Sequence, residues 1–216
     1  MLSRLLVRES LDVELLLIRH AEPVRIEDAD GRADPELSGR GRQQAERLAA
    51  WLAEETLEAV ISSPMRRARE TAQPVAAGKG LTVVVDEELD EFDRQENSYI
   101  PYEELKAAQD PRFHAMVTGQ LEGQFQVDPA TFQAGVVAAM DRIIDANPGK
   151  TVAVVCHGGV INAYTAHLAG IASLLWFETR YTSISRVVAS RGPGGLRSIA
   201  TLNETAHLRG TGLGES

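Results

Sequence analysis

Residues Leu15–Pro23 read LLLIRHAEP. Four consecutive apolar residues run without alternation and end on an arginine and a histidine. A short, unalternating apolar run is the pattern of a strand buried on both faces, as in a parallel sheet covered by helices. Arg19 and His20 then either cap the strand by reaching water, or belong to a site at the carboxyl edge of the sheet. The flanking sequence has to decide between the two.

Reading outward, Val13 to Ile18 forms the first strand, and residues 21–37, rich in Asp, are a loop. LSGRGRQQAERLAAWLAEE is a helix with Ser38 as N-cap, and Ala45, Leu48, Ala49 and Leu52 fall on one face. LEAVISS (57–63) is a second buried strand; Pro64 stands as the first residue of a helix that stops around Gly78. LTVVVDEEL supplies a third strand ending near Asp86. Residues 92–128 are polar and mixed, and are expected to form a small helical cap at the sheet edge that sets substrate specificity, with Tyr99, Tyr102, Phe113 and Phe125 as its aromatics.

Asp128 and Pro129 then open a helix whose inner face is Phe132, Val136, Val137, Met140, Ile143 and Ile144. TVAVVCH is a fourth buried strand, GGVINAYTAHLAG a helix, and SISRVVAS and LRSIATLN two further strands around the turn RGPGG. The tail RGTGLGES is expected to be disordered. This alternation predicts an α/β three-layer sandwich: a mostly parallel central sheet, helices on both faces and a helical cap insertion, all in one domain spanning 1–216.

Bulk properties narrow the function. The 216 residues carry a net charge of -9, which disfavours nucleic acid and anionic membrane surfaces as partners. Cys156 is the only cysteine, which excludes an internal disulfide framework or a Cys-rich zinc site. No apolar run approaches the ~20 residues of a membrane helix. Asp12 and Glu14 interrupt the apolar stretch that a secretion signal needs, so a cytoplasmic location is expected.

In a parallel sheet, ligands collect beyond the carboxyl ends of the strands. After the first strand come Arg19, His20 and Glu22; after the second, Ser62, Ser63, Arg66, Arg67 and Arg69. Glu87, Glu88, Asp90 and Glu91 follow the third, and His157, Gly158 and Gly159 the fourth. Histidines, arginines and a carboxylate at one edge suit phosphoryl transfer. Arginine presents a planar fork to phosphate oxygens. A histidine beside arginines is kept neutral, with one ring nitrogen free to attack phosphorus. A second histidine can stay protonated against a phosphate dianion, and the glycine pair lets a helix N-terminus approach an anion. A carboxyl group can protonate the leaving oxygen and then activate water. Either Arg66 or Arg67 can face such a pocket, and the acid can be Glu91, Glu88 or Asp90.

IRHAEP, SSPMRRARETA, LDE (89–91) and VVCHGGVINAYTAHLAG, in this order, resemble the signature segments of the histidine phosphatase superfamily, with its phosphoglycerate mutase-like fold; ADPELSGRGRQQAERLA and LNETAHL extend the likeness. The resemblance implies His20 as the nucleophile that becomes a phosphohistidine, with Arg19, Arg67, His157 and Gly158 holding the phosphate. It implies Glu91 as general acid and base, and no metal or other cofactor. Ala21, Pro23 and Ile26 depart from the family pattern, as does FDRQENSY (92–99) after the acid. His114, His167 and His207 are expected to be structural or solvent-facing, Cys156 to be a core residue, and Trp176 and Phe177 to be core rather than a dimer contact.

The expected activity is hydrolysis of a small-molecule phosphate monoester. Phosphoglycerate mutase-type transfer, or a non-catalytic phosphate-ester-binding module, are the alternatives; a homodimer is compatible with either.

Overall fold

The computed structural model describes residues 12–118, 128–192 and 195–214. β1 (Val13–Arg19) lies inside a six-stranded sheet with β2 (Ala59–Ser62), β3 (Val83–Val85), β4 (Thr151–Cys156), β5 (Ile184–Ala189) and β6 (Arg197–Glu204), in the order β3-β2-β4-β1-β5-β6. β1 pairs parallel with β4, β4 with β2 and β2 with β3, while β5 runs antiparallel to both β1 and β6. The sheet is therefore mostly parallel, as the alternation predicted.

The unalternating run is explained by cover on both faces. Leu15 and Leu17 point to one side, where they pack with α5 (Pro129–Ala146) and α6 (Gly158–Ala169) through Val136, Met140, Ile144, Val160 and Ile161. Leu16 and Ile18 point to the other, against α1 (Gly39–Leu52) and α2 (Arg66–Gly78) through Leu48, Leu52, Ala68 and Ala72. Burying apolar side chains on both faces stabilises by ~25 cal/mol per Å² of area withdrawn from water, and leaves the strand ends as the places for polar groups.

Ser38 caps α1 as expected, its Oγ accepting from Gly41 N–H at 2.9 Å. β3 ends at Val85, beside the expected Asp86, whose carboxylate turns onto Glu88 N–H and starts a one-turn 3₁₀ helix, Glu87–Leu89. Two local expectations are corrected. α2 begins at Arg66 rather than Pro64, because Met65 is extended and buried and its N–H is turned to Ser63 Oγ. The tail is held through Gly214: Leu213 C=O accepts from Gln44 Nε2 at 2.9 Å, and Gly214 lies over Leu208.

The region read as a cap holds α3 (Tyr102–Ala107) and α4 (Pro111–Thr118), short helices at the carboxyl edge of the sheet. It is tied back by a backbone bridge in which Ile26 and Tyr99 exchange N–H···O bonds of 3.0 and 2.8 Å. Phe125, another aromatic of this region, lies outside the described residues.

Candidate active site

β2, β4 and β1 are adjacent, so their carboxyl ends bring Ser63, His157 and His20 side by side. The His20 and His157 rings lie 5.1 Å apart between centroids. Arg67, on the first turn of α2, has a fully buried side chain and donates from Nε to His20 Nε2 at 3.2 Å. Arg66 is half-exposed and pairs with Glu36 and Glu70 on the surface. Of the two candidates, Arg67 faces the pocket.

His20 Nδ1 lies 2.8 Å from Ala21 C=O. A carbonyl only accepts, so Nδ1 carries the proton and Nε2 keeps its lone pair toward Arg67. Burial, followed by the charges of Arg67 and Arg19, holds the His20 imidazolium well below its ordinary pKa. The ring is neutral and pre-oriented.

His157 bonds through Nε2 to Ser63 Oγ at 2.7 Å, while its Nδ1 is buried without a hydrogen-bond partner. Burial, then Arg67, His20 and Arg19, keep its pKa low as well. These groups favour the neutral ring; the protonated form expected of the second histidine needs the opposing charge of a phosphate dianion.

Arg19 is also buried, its guanidinium stacked 4.0 Å from the centre of the Tyr181 ring and bonded from Nη1 to Thr179 C=O at 2.6 Å and Glu103 Oε1 at 3.1 Å. Arg67 stacks likewise, 4.6 Å from the centre of the Tyr99 ring. Arg19 Nε and Arg67 Nη1 are buried without partners, as is His157 Nδ1. Buried N–H donors are seldom left unpaired, and two arginine N–H groups beside one neutral imidazole, with His157 Nδ1 also unpartnered, make a site shaped for an oxyanion.

Among the acids after β3, Glu91 lines the cleft. Glu88 is exposed beside Arg142, and Asp90 is buried but turned to Arg32. Glu91 accepts from Gly159 N–H through Oε2 at 2.9 Å and from Phe92 N–H through Oε1 at 3.0 Å. Burial, reinforced by the charge of Asp93, raises its pKa to about 8 despite those two bonds and Arg67. The carboxyl group is protonated at neutral pH, the state a general acid needs.

Gly158 lines the cleft at the start of α6, directly after His157 as the N-cap residue. The Gly159 amide, however, is taken by Glu91 rather than left for a ligand. A Cβ at Gly159 would overlap Glu91 Oε1 and the Phe92 ring, so only glycine lets the helix meet the acid here.

Ala21, Pro23 and Ile26, three of the departures from the family pattern, are scaffold, whereas Asp93, Glu96 and Tyr99 of the fourth line the cleft. Ala21 is fully buried and donates its N–H to Thr71 Oγ1 at 2.9 Å; Pro23 bridges to Leu37, and Ile26 to Tyr99. Trp176 and Phe177 correct the core expectation: both line the cleft, with Phe177 also resting against the core beneath α6. Cys156 is core, with burial pushing its thiol pKa up; His207 is buried on Thr182 Oγ1 at 3.0 Å, while His114 and His167 are exposed.

Sequence reasoning gave no role to Ser63, Thr71, Tyr99, Asp93, Glu103 or Tyr181. Ser63 was visible at a strand end; Thr71 lies on α2 and Glu103 on α3, and Tyr99, Asp93 and Tyr181 come from loops, all brought to the site by tertiary packing. Among the described residues, no cluster of His, Cys, Asp or Glu could hold a metal ion, and no helix is long and apolar enough to cross a membrane.

Phosphoserine phosphatase 1 of Hydrogenobacter thermophilus is 31% identical over 163 residues, covering 74% of this chain and 77% of its own. Phosphoglycerate mutase-like protein 4 of Arabidopsis thaliana is 32% identical over 159 residues, covering 69% and 68%. Among solved structures, a protein titled mycobacterial hydrolase 2 superposes with a TM-score of 0.72 over 94% of this chain and 95% of that one; at 22% identity it shows the fold alone. The family model of the histidine phosphatase superfamily (branch 1) matches residues 15–203, and with the central sheet and strand-edge pocket described above, the chain belongs to that superfamily.

Proposed function

We propose that the protein is a phosphatase that hydrolyses a small-molecule phosphate monoester through a phosphohistidine on His20. The observation that carries this reading is the juxtaposition of His20, neutral with Nε2 bearing its lone pair, with three buried nitrogens lacking partners: Arg19 Nε, Arg67 Nη1 and His157 Nδ1. The phosphatase name borne by the Hydrogenobacter relative supports it.

In this mechanism, His20 Nε2 attacks phosphorus in line. The P–N bond forms as the ester P–O bond breaks, and protonated Glu91 gives its proton to the leaving oxygen. Ala21 C=O keeps the Nδ1 proton in place while the ring carries the phosphoryl group. Glu91, now a carboxylate, takes a proton from water; the water oxygen attacks phosphorus, the P–N bond breaks, and phosphate leaves with His20 neutral again. Two arginines and His157 neutralise the equatorial oxygens, so the charge stabilisation needed for phosphoryl transfer is supplied by side chains held in place before substrate arrives.

The test is phosphate release from p-nitrophenyl phosphate and a panel of sugar, nucleotide and glycerate phosphates, in buffer with EDTA. Turnover that disappears in His20→Ala supports the phosphatase. Isomerised 3-phosphoglycerate without net release assigns a mutase instead, and ester binding without turnover assigns a binding module.

A further inference from the structure

Above the phosphate donors, the cleft widens to about 450 Å³, within the range of small-molecule sites and far more than a phosphoryl group fills. Its upper walls are aromatic. Tyr102 and Phe113 from the two cap helices stand 5.3 Å apart, and Trp176 and Phe177 meet edge-on at 4.8 Å. Leu105 from α3 completes the apolar wall.

The charges lining the same space are arranged against a second anion. The arginines among the described lining residues are Arg19, Arg67 and Arg112, and each already has an acid: Glu103 at 3.1 Å, Asp93 at 3.3 Å and Asp110 at 2.8 Å. Arg112 is bound two-pronged, Nε to Asp110 Oδ1 at 2.9 Å and Nη2 to Oδ2 at 2.8 Å, so its fork is occupied. Asp93, Glu96 and Glu178 also face the cleft, Glu178 paired with Lys106 at 2.7 Å. A carboxylate on the substrate would leave water to sit among acids with no open cation beside it, which is unfavourable. An apolar ring there would bury its surface against other rings.

We propose that the leaving alcohol is an uncharged, apolar group of about aromatic-ring size, and that phosphate esters bearing a carboxylate are selected against. The proposal rests on the phosphatase reading, and names the residues that set its specificity: Trp176 and Phe113 in the apolar lining, with Asp93 and Glu96 as the excluding charges.

The experiment compares kcat/KM for 2-phenylethyl phosphate, ethyl phosphate, phosphoserine and 3-phosphoglycerate. In all four the leaving group is a primary alkoxide, so leaving-group class does not decide among them. The expected result is a preference of at least about tenfold for the phenylethyl ester over each of the others. Trp176→Ala and Phe113→Ala should each shrink the phenylethyl-to-ethyl ratio severalfold. Equal or faster turnover of 3-phosphoglycerate or phosphoserine overturns the proposal, as does a ratio that neither variant moves.

With p-nitrophenyl phosphate turned over in parallel, such failures leave the phosphatase reading intact. Should no ester be hydrolysed, that reading fails, and calorimetric titration of the same four esters into His20→Ala decides the specificity alone. Tightest binding of the phenylethyl ester supports it, and any other order overturns it.

Discussion

Arg67 Nε donates to His20 Nε2 at 3.2 Å, with both side chains buried beneath the cleft. This contact agrees with the tautomer that Ala21 C=O fixes at Nδ1 and orients the proposed nucleophile. Burial, and then the Arg67 and Arg19 charges, disfavour the imidazolium, and Arg67 Nη1 remains for a phosphate oxygen.

Arg67→Ala is therefore expected to lower kcat/KM by about 10²- to 10³-fold, the usual loss for a transition-state donor, and to raise the pKa of His20. Arg67→Lys should restore the pKa while recovering little activity, because a point charge cannot donate to the ring and to phosphate together. Arg66→Ala, at the half-exposed neighbour, should leave kinetics in the wild-type range. Steady-state assays and NMR titration of the histidine rings check all three.

Glu91→Gln removes the proton but keeps the shape. Loss of general acid catalysis should slow alkyl phosphates by about 10²- to 10⁴-fold, with a clearly smaller loss on p-nitrophenyl phosphate, whose leaving group needs no proton. Equal losses on both would count against Glu91 as the acid.

The pH profile follows from the same groups. His20 is depressed, so kcat/KM holds through neutral pH and falls only on the acid side of the ordinary imidazole range. Glu91 is raised, so turnover of alkyl phosphates falls as pH passes about 8. Stability responds with opposite signs. Buried neutral His20 and His157 bind fewer protons folded than unfolded, so stability is lost as pH drops below the unfolded value near 6.5. Protonated Glu91 binds more protons folded, so its contribution is lost as pH rises from the ordinary carboxyl range toward 8. Denaturation midpoints of wild type and Glu91→Gln across pH 4–9 test the signs: the variant should lose the alkaline decline.

At Gly159 two effects oppose each other. Alanine in a helix gains up to ~1 kcal/mol in propensity over glycine. A Cβ here overlaps Glu91 Oε1 and the Phe92 ring, and overpacking of this kind costs on the order of 1–3 kcal/mol. Gly159→Ala should be net destabilising in urea and should impair alkyl phosphates more than p-nitrophenyl phosphate, because it displaces the acid.

Much of this architecture is legible without coordinates, for identifiable reasons. LLLIRH and TVAVVCH mark central strands because both faces need apolar cover, and polar residues are tolerated only at their ends. Arg67 could be separated from Arg66 by the motif frame, whereas spacing alone left both open. The aromatic walls could not be read. Trp176 and Phe177 look like core in sequence because burial against protein and burial against a cleft use the same side chains. Asp93, from a loop, and Glu103, from α3, flank the Ile26–Tyr99 bridge that ties the cap back beside Arg67 and Arg19, a contact that no local pattern announces.

The most direct test of the central claim is a rapid quench of enzyme turning over p-nitrophenyl phosphate, followed by mapping of protein-bound phosphate under alkaline conditions that preserve phosphohistidine. The mechanism predicts one acid-labile phosphoryl group on the peptide containing His20, formed as fast as turnover requires and absent in His20→Ala. Phosphate found on another residue, or steady turnover with His20 unlabelled, would contradict it.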